Sequence, residues 1–282
     1  MAELETFSFV AAMASVGLSI LVTLLVYIIK RRRPMPEDVP PKESQARLKG
    51  WDYVELGLAA MGLLFLTLTI VSRAVITGHG PFSNMYEFSI AFAWGIVAMS
   101  LFFLWRYRTQ IVNTIGSLVA LALLIFANTL PSKPVPLVPA LQQSFLLSAH
   151  VAAAMIAYGA FTMGFGAAIL YLIRGHHAAS TSKLEVLDDM SYLAVKIGFP
   201  FMTLLIVLGA FWADIAWGSY WSWDPKETAS LVTWLLFAGY LHARLMRGWQ
   251  GRRAALILII GFAAVLFTFF GNYIFSGLHS YQ

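Results

Sequence analysis

Eight runs of predominantly apolar residues organise the chain, at about 7–29, 53–76, 86–105, 110–128, 144–173, 196–213, 228–246 and 254–275. Each can cross a hydrocarbon core ~30 Å thick at the ~1.5 Å rise per residue of an α-helix. Such a core offers no partner to open backbone N–H and C=O groups, so these runs must be helical. The expected fold class is all-α, a polytopic membrane protein with about eight transmembrane helices. Composition agrees: 12% of residues are charged, against roughly 25% in a soluble domain. No stretch is left for a separate water-soluble domain, so 1–282 reads as one integral-membrane domain.

Charge sets the orientation. Of the nineteen Lys and Arg residues, all but Arg73, Lys133 and Lys226 fall on one side of the alternating connections. The positive-inside rule makes that side cytoplasmic. Both termini are then extracytoplasmic, with the segments 77–85, 129–143, 214–227 and 276–282. The net charge of +5 is thus an orientation signal, and no nucleic-acid partner is expected. The cluster Lys30–Arg33 follows the first apolar run, the wrong order for a cleavable signal peptide. The connection 30–50, with Pro34, Pro36, Pro40 and Pro41, reads as an extended cytoplasmic tether. The segment 180–195 reads as a short amphipathic surface helix. The chain has no cysteine, which excludes disulfides, iron–sulfur clusters and thiolate metal sites within it. Six histidines remain as strong ligands, besides methionine.

One outer connection is chemically unusual. "WGSYWSWDPKE", Trp217 to Glu227, places three tryptophans and a tyrosine before a charged tail. Aromatic residues gather at any membrane interface, which accounts for part of this. Asp224-Pro225-Lys226-Glu227 also has the form of a capped helix start, with Asp224 as N-cap, Pro225 first in the helix and Glu227 as capping-box partner. The same residues allow a binding reading. Trp217, Gly218, Tyr220, Trp221, Trp223 and Asp224 form an aromatic platform. A helix N-terminus and Lys226 make its edge favourable to anions. Flat apolar surface with an anion-friendly rim suits a planar macrocycle bearing carboxylates, such as haem.

Haem iron takes axial ligands, commonly histidine. His150 and His279 are the two histidines at the outer ends of spans. His150 opens a helix with small residues at Ala153, Ala157, Ala160, Gly164 and Ala168, a pattern of close helix packing. His242 lies deep in the seventh run, ~22 Å of helix below Glu227, and cannot share an iron with the outer pair. His79 sits in a turn-rich outer loop, and Arg73 and Lys226 are outer cations that could meet carboxylates. His176 and His177 fall in a cytoplasmic connection.

These residues carry a resemblance. "WGSYWSWDPKE" fits the WWD signature, and "GHGPFSNMYEF" (78–88), "SFLLSAHVAAAMIAYGAF" (144–161), "LHARL" (241–245) and "GLHSY" (277–281) follow in matching order. Over essentially its whole length the chain resembles the CcsA/ResC-type System II cytochrome c biogenesis proteins, also called CcsB. The resemblance implies a haem-handling subunit of a cytochrome c synthase, or haem lyase, complex with haem transport activity. Haem b would be carried to the outer face as a transported substrate and held at the WWD segment. There His150 and His279 would ligate the iron, and the haem would be presented to the Cys-x-x-Cys-His motif of apocytochrome c. The implied partners are a ResB-type membrane protein, apocytochrome c and haem. His242 matches the family's intramembrane histidine. This chain offers it no second ligand inside a span, so one would come from the partner, or by a reach of His176 or His177. The implied location is a bacterial inner or plasma membrane, or a thylakoid.

Other readings compete. A System I-type WWD haem-delivery protein would be either a smaller six-span chain or one much longer than this. A b-type haem electron-transfer protein needs facing intramembrane ligand pairs, and only His242 lies inside a span. A secondary transporter predicts half-to-half symmetry and broken helices, and the sequence displays neither.

Overall fold

The computed structural model describes residues 1–32, 41–80, 82–107, 110–134, 144–175, 181–274 and 277. Eight helices follow one another: α1 (Ala2–Arg32), α2 (Pro41–Thr77), α3 (Met85–Tyr107), α4 (Gln110–Asn128), α5 (Ser144–Gly175), α6 (Thr181–Trp217), α7 (Pro225–Arg247) and α8 (Arg252–Ile274). No strand occurs among the described residues. Seven of the helices are long and apolar enough to cross a membrane, which makes this an integral membrane protein of the expected class. The exception is α7, which carries Lys226 and Glu227 in its first turn and His242, Arg244 and Arg247 toward its end.

Two connections differ from the sequence expectation. α2 begins at Pro41, so the second part of the expected tether is helical. Proline fits a first helical position, and Glu43, Gln45, Ala46, Arg47, Leu48 and Lys49 are good helix formers. The segment 180–195 is likewise not a separate surface helix. α6 runs unbroken from Thr181, past an internal Pro200, to Trp217. The apolar face expected to lie on lipid instead packs inward: Leu187, Met190 and Ala194 are buried against Met163, Ala167 and Leu170 of α5.

Helices adjacent in sequence pair with one another, α1 with α2, α3 with α4, α5 with α6 and α7 with α8. α5 lies at the centre and touches α3, α4, α6 and α8. Its small residues make this close approach feasible. Ala153, Ala157, Ala160 and Ala168 are buried, and Gly164 faces Ala194 and Leu258. Where α3 crosses α5, a Cβ on Gly95 would collide with the Met155 carbonyl, and one on Gly159 with the Gly95 carbonyl. Without the hydrophobic effect between helices in lipid, this backbone-to-backbone packing supplies much of the association energy.

The two ends of the bundle differ. At one, Arg73 of α2 bonds Glu87 of α3 at 2.8 Å and Glu5 of α1 at 3.4 Å, and Tyr86 reaches Glu5 at 3.3 Å. Gly277, beyond α8, packs on Asp224 and Pro225 at this same end. At the opposite end Arg244 of α7 makes a two-pronged pair with Asp188 of α6 at 2.8 and 2.6 Å, and Asp188 also accepts the Gly251 N–H at 2.9 Å. Each end is thus tied by a charge cluster linking three parts of the chain.

Candidate functional site

The connection 218–224 is built by caps at both sides. Gly218 leaves α6 with φ 75°, its N–H bonded to the Asp214 carbonyl at 2.8 Å. Asp224 then caps α7, as its sequence implies. Its carboxylate accepts the Lys226 N–H at 2.9 Å, and the Glu227 carboxylate returns to the Asp224 N–H at 3.2 Å. Glu227 also accepts the Ser222 N–H at 2.8 Å. This network holds Trp223 at φ 59°, the only left-handed non-glycine among the described residues. Such a conformation costs of order 1–3 kcal/mol and persists only where surrounding bonds enforce it.

The aromatic residues do not form one sheet of rings. Trp217 turns inward onto Trp212, with ring centroids 4.7 Å apart at 71°, in a buried cluster with Ala91, Val151 and Met155. Trp223 stands 70% exposed, edge-on to Trp221 at 5.8 Å. Tyr220 meets Phe211 edge-on at 5.9 Å. Its hydroxyl is held by Asp214, which raises its pKa above the usual phenol range.

Behind this connection lies a cavity, open on one side. α3 contributes Met85, Phe88 and Phe92, and α5 contributes His150, Val151, Ala154 and Tyr158. α6 supplies Leu205, Ile206, Gly209 and Ala210, and Tyr220 and Trp221 close the loop side. α7 adds Lys226, Glu227 and Ser230, and α8 adds Thr268 and Phe269. The lining is aromatic and aliphatic, with few polar groups, as in sites for flat apolar ligands.

His150 has a defined orientation. Its Nδ1 lies 2.8 Å from the Leu205 carbonyl. A carbonyl only accepts, so Nδ1 donates, and in neutral imidazole Nε2 then holds the lone pair. This is the arrangement by which proteins orient a metal-ligating histidine. Gly209 makes room for the ring, since a Cβ there would sit 2.9 Å from His150 Cε1. Lys226 precedes the expected span, and its ammonium lies over the Phe88 ring at 5.2 Å. Burial lowers its pKa to about 8, a shift that the charge of Asp224 opposes.

Of the residues expected to form the site, His150, Tyr220, Trp221 and Lys226 meet at the cavity. Trp217, Gly218, Trp223, Asp224 and His79 do not line it. His79 stays in its loop, bonded to the Gly80 carbonyl at 2.9 Å. Arg73 does not line the cavity either. It is 2% exposed and held by Glu5 and Glu87, so its charge serves the α1–α2–α3 contact. His242 is exposed on α7, in a stripe with Val232, Leu235, Gly239 and Met246 that no helix covers among the described residues. His279, His176 and His177 lie outside the described residues. Phe88, Phe92, Tyr158, Gly209 and Thr268 were not singled out by sequence. The Met85-Phe88-Phe92 spacing on one helical face was the available signal.

The family described as cytochrome C assembly protein matches residues 82–279. The cytochrome c biogenesis protein CcsA of Guillardia theta is 34% identical over 264 residues, covering 83% of this chain and 87% of that one. CcsA of Chlamydomonas reinhardtii is 42% identical over 231 residues, covering 77% of this chain and 65% of the algal protein. CcsA of Prochlorococcus marinus is 36% identical over 266 residues, covering 83% and 84%. Among solved structures, cytochrome c heme lyase CcmF superposes with a TM-score of 0.71 at 16% identity. It covers 95% of this chain and 46% of its own, a likeness of fold.

Proposed function

The chain belongs to the cytochrome C assembly protein family as a CcsA-type member, and from that premise we propose that its cavity holds haem b for attachment to apocytochrome c. Haem is the cargo. His150 ligates the iron on one side and His279 on the other. One residue, Leu278, lies between His279 and Gly277, a Cα span of about 7 Å at full extension, and Gly277 packs on the N-cap of α7 beside the cavity. The connection 218–224 forms the outer wall, with Trp221 and Tyr220 toward the ring and the exposed Trp223 toward the incoming apocytochrome.

The observation that carries this reading is His150: an imidazole on the wall of a mainly apolar cavity, its ring oriented by the bond between Nδ1 and the Leu205 carbonyl. The chemistry asked of the protein is positioning. Each cysteine S–H of apocytochrome adds across one haem vinyl C=C. Sulfur bonds to one vinyl carbon and the proton ends on the other, so no group leaves and no net oxidation occurs. The residues here orient the ring and exclude water while this happens.

His242 belongs to a second position. An exposed histidine within a membrane-depth stripe faces lipid or another protein, and an ionisable side chain in lipid is costly. We assign the stripe Val232-Leu235-Gly239-His242-Met246 to a ResB-type partner, which brings a second iron ligand and delivers haem from the cytoplasmic side. The end bearing 218–224 is accordingly extracytoplasmic, in a bacterial or thylakoid membrane.

The test is the optical spectrum of the protein purified with its partner. A low-spin haem spectrum that His150→Ala and His279→Ala abolish, and that added imidazole restores, supports the assignment. Protein that carries no haem and takes up none overturns it.

A further inference from the structure

Two axial ligands define the normal of a haem ring and leave it free to turn about the iron–nitrogen axis. Attachment needs particular vinyl groups in a particular direction, so something must grip the ring in its plane. The cavity wall carries a cation that no carboxylate pairs among the described residues. The Lys226 ammonium has no carboxylate at ion-pair distance among the described residues, and its described contact is the Phe88 face at 5.2 Å. The neighbouring acids are engaged: Asp224 accepts the Lys226 N–H, and Glu227 accepts from Ser222 and Asp224. Tyr158, 7% exposed, also lines the cavity. A cation left without a counter-charge is costly, so a wholly apolar guest does not complete this cavity.

We propose that Lys226 pairs with a carboxylate of the ring bound in this cavity and so fixes its rotation, turning the opposite edge, which carries the vinyl groups, away from α7. The proposal rests on the haem reading above. It makes Lys226 a positioning residue. The neighbouring ionisable groups at the site are Asp224 and Glu227 of the α7 start, His150 and Tyr158 of α5, and Tyr220 of the connection. None of them is a second cation that could substitute.

The full-length protein in detergent is titrated with hemin and with hemin dimethyl ester, which lacks free carboxylates, and the affinity is read from absorbance. Wild type is expected to bind the diacid at least tenfold more tightly than the ester. Lys226→Met lowers the diacid to the affinity of the ester, and Lys226→Arg keeps the preference. Equal binding of both rings by wild type overturns the proposal and leaves the haem reading intact, as does a preference that survives in Lys226→Met. Should Lys226→Met bind neither ring, the wild-type comparison and the Lys226→Arg arm decide. Binding of neither ring by wild type overturns the haem reading, and this inference with it.

Discussion

His150 and Gly209 form a pair in which the small residue sets the position of the large one. A Cβ at Gly209 would stand 2.9 Å from the imidazole, and the ring could not hold its bond to Leu205. Gly209→Leu is therefore expected to reduce haem occupancy about as strongly as His150→Ala, tenfold or more by absorbance, although it removes no ligand. Only the His150→Ala loss should respond to imidazole. Lys226 gives a second expectation. Its pKa is lowered to about 8 in the folded protein, from 10.5. Between those values the unfolded chain binds more protons than the folded one, so stability rises with pH. Below about pH 8 the full penalty of the buried charge is present. The thermal midpoint of haem-free protein should climb from about pH 8 toward pH 9.5, and Lys226→Met should flatten that climb. At this scale the sequence was partly legible. His150, Trp221 and Lys226 were visible as chemistry. The inward packing of Trp217 on Trp212 was not legible, because it depends on a tertiary contact within α6 and its neighbours.

At the level of elements, α7 shows how caps carry function. Asp224, Pro225 and Glu227 start the helix, and the same bonds set the shape of 218–224. Asp224→Ala should cost about 1 kcal/mol of stability, within ~0.5–2 for a lost N-cap. It should also release Trp223 from its left-handed conformation, seen as a change in tryptophan fluorescence. Asp224→Asn, which retains a capping oxygen, should keep most of both. At the other end of α7, Asp188→Ala leaves Arg244 without its partner in a largely buried position and should destabilise by about 3 kcal/mol. Helix positions were legible because length, hydropathy and caps are local properties. The helical starts of α2 at Pro41 and α6 at Thr181 were less legible because proline and polar residues at a helix start look like a loop. Whether an amphipathic face meets lipid or α5 is likewise decided by tertiary packing.

For the whole molecule, the cavity draws its walls from α3, α5, α6, α7 and α8, so no single stretch of sequence could announce it. The uncovered stripe around His242 makes an expectation at this scale too. The chain lacks cysteine, so a cysteine placed at Leu235 should form a cross-link to a ResB-type partner carrying a matching cysteine. One at Val207, exposed on α6, should not. The polarity of α7 has a consequence for biosynthesis. Seven helices are long and apolar enough to cross a membrane on length and composition, and α7 is the more polar exception. It is expected to enter together with α8, as the first member of that hairpin. A substitution that weakens α8 would therefore strand the cavity's cation and its cap outside the bilayer. The defect would register as a mis-inserted C-terminal third, degraded before any haem is offered.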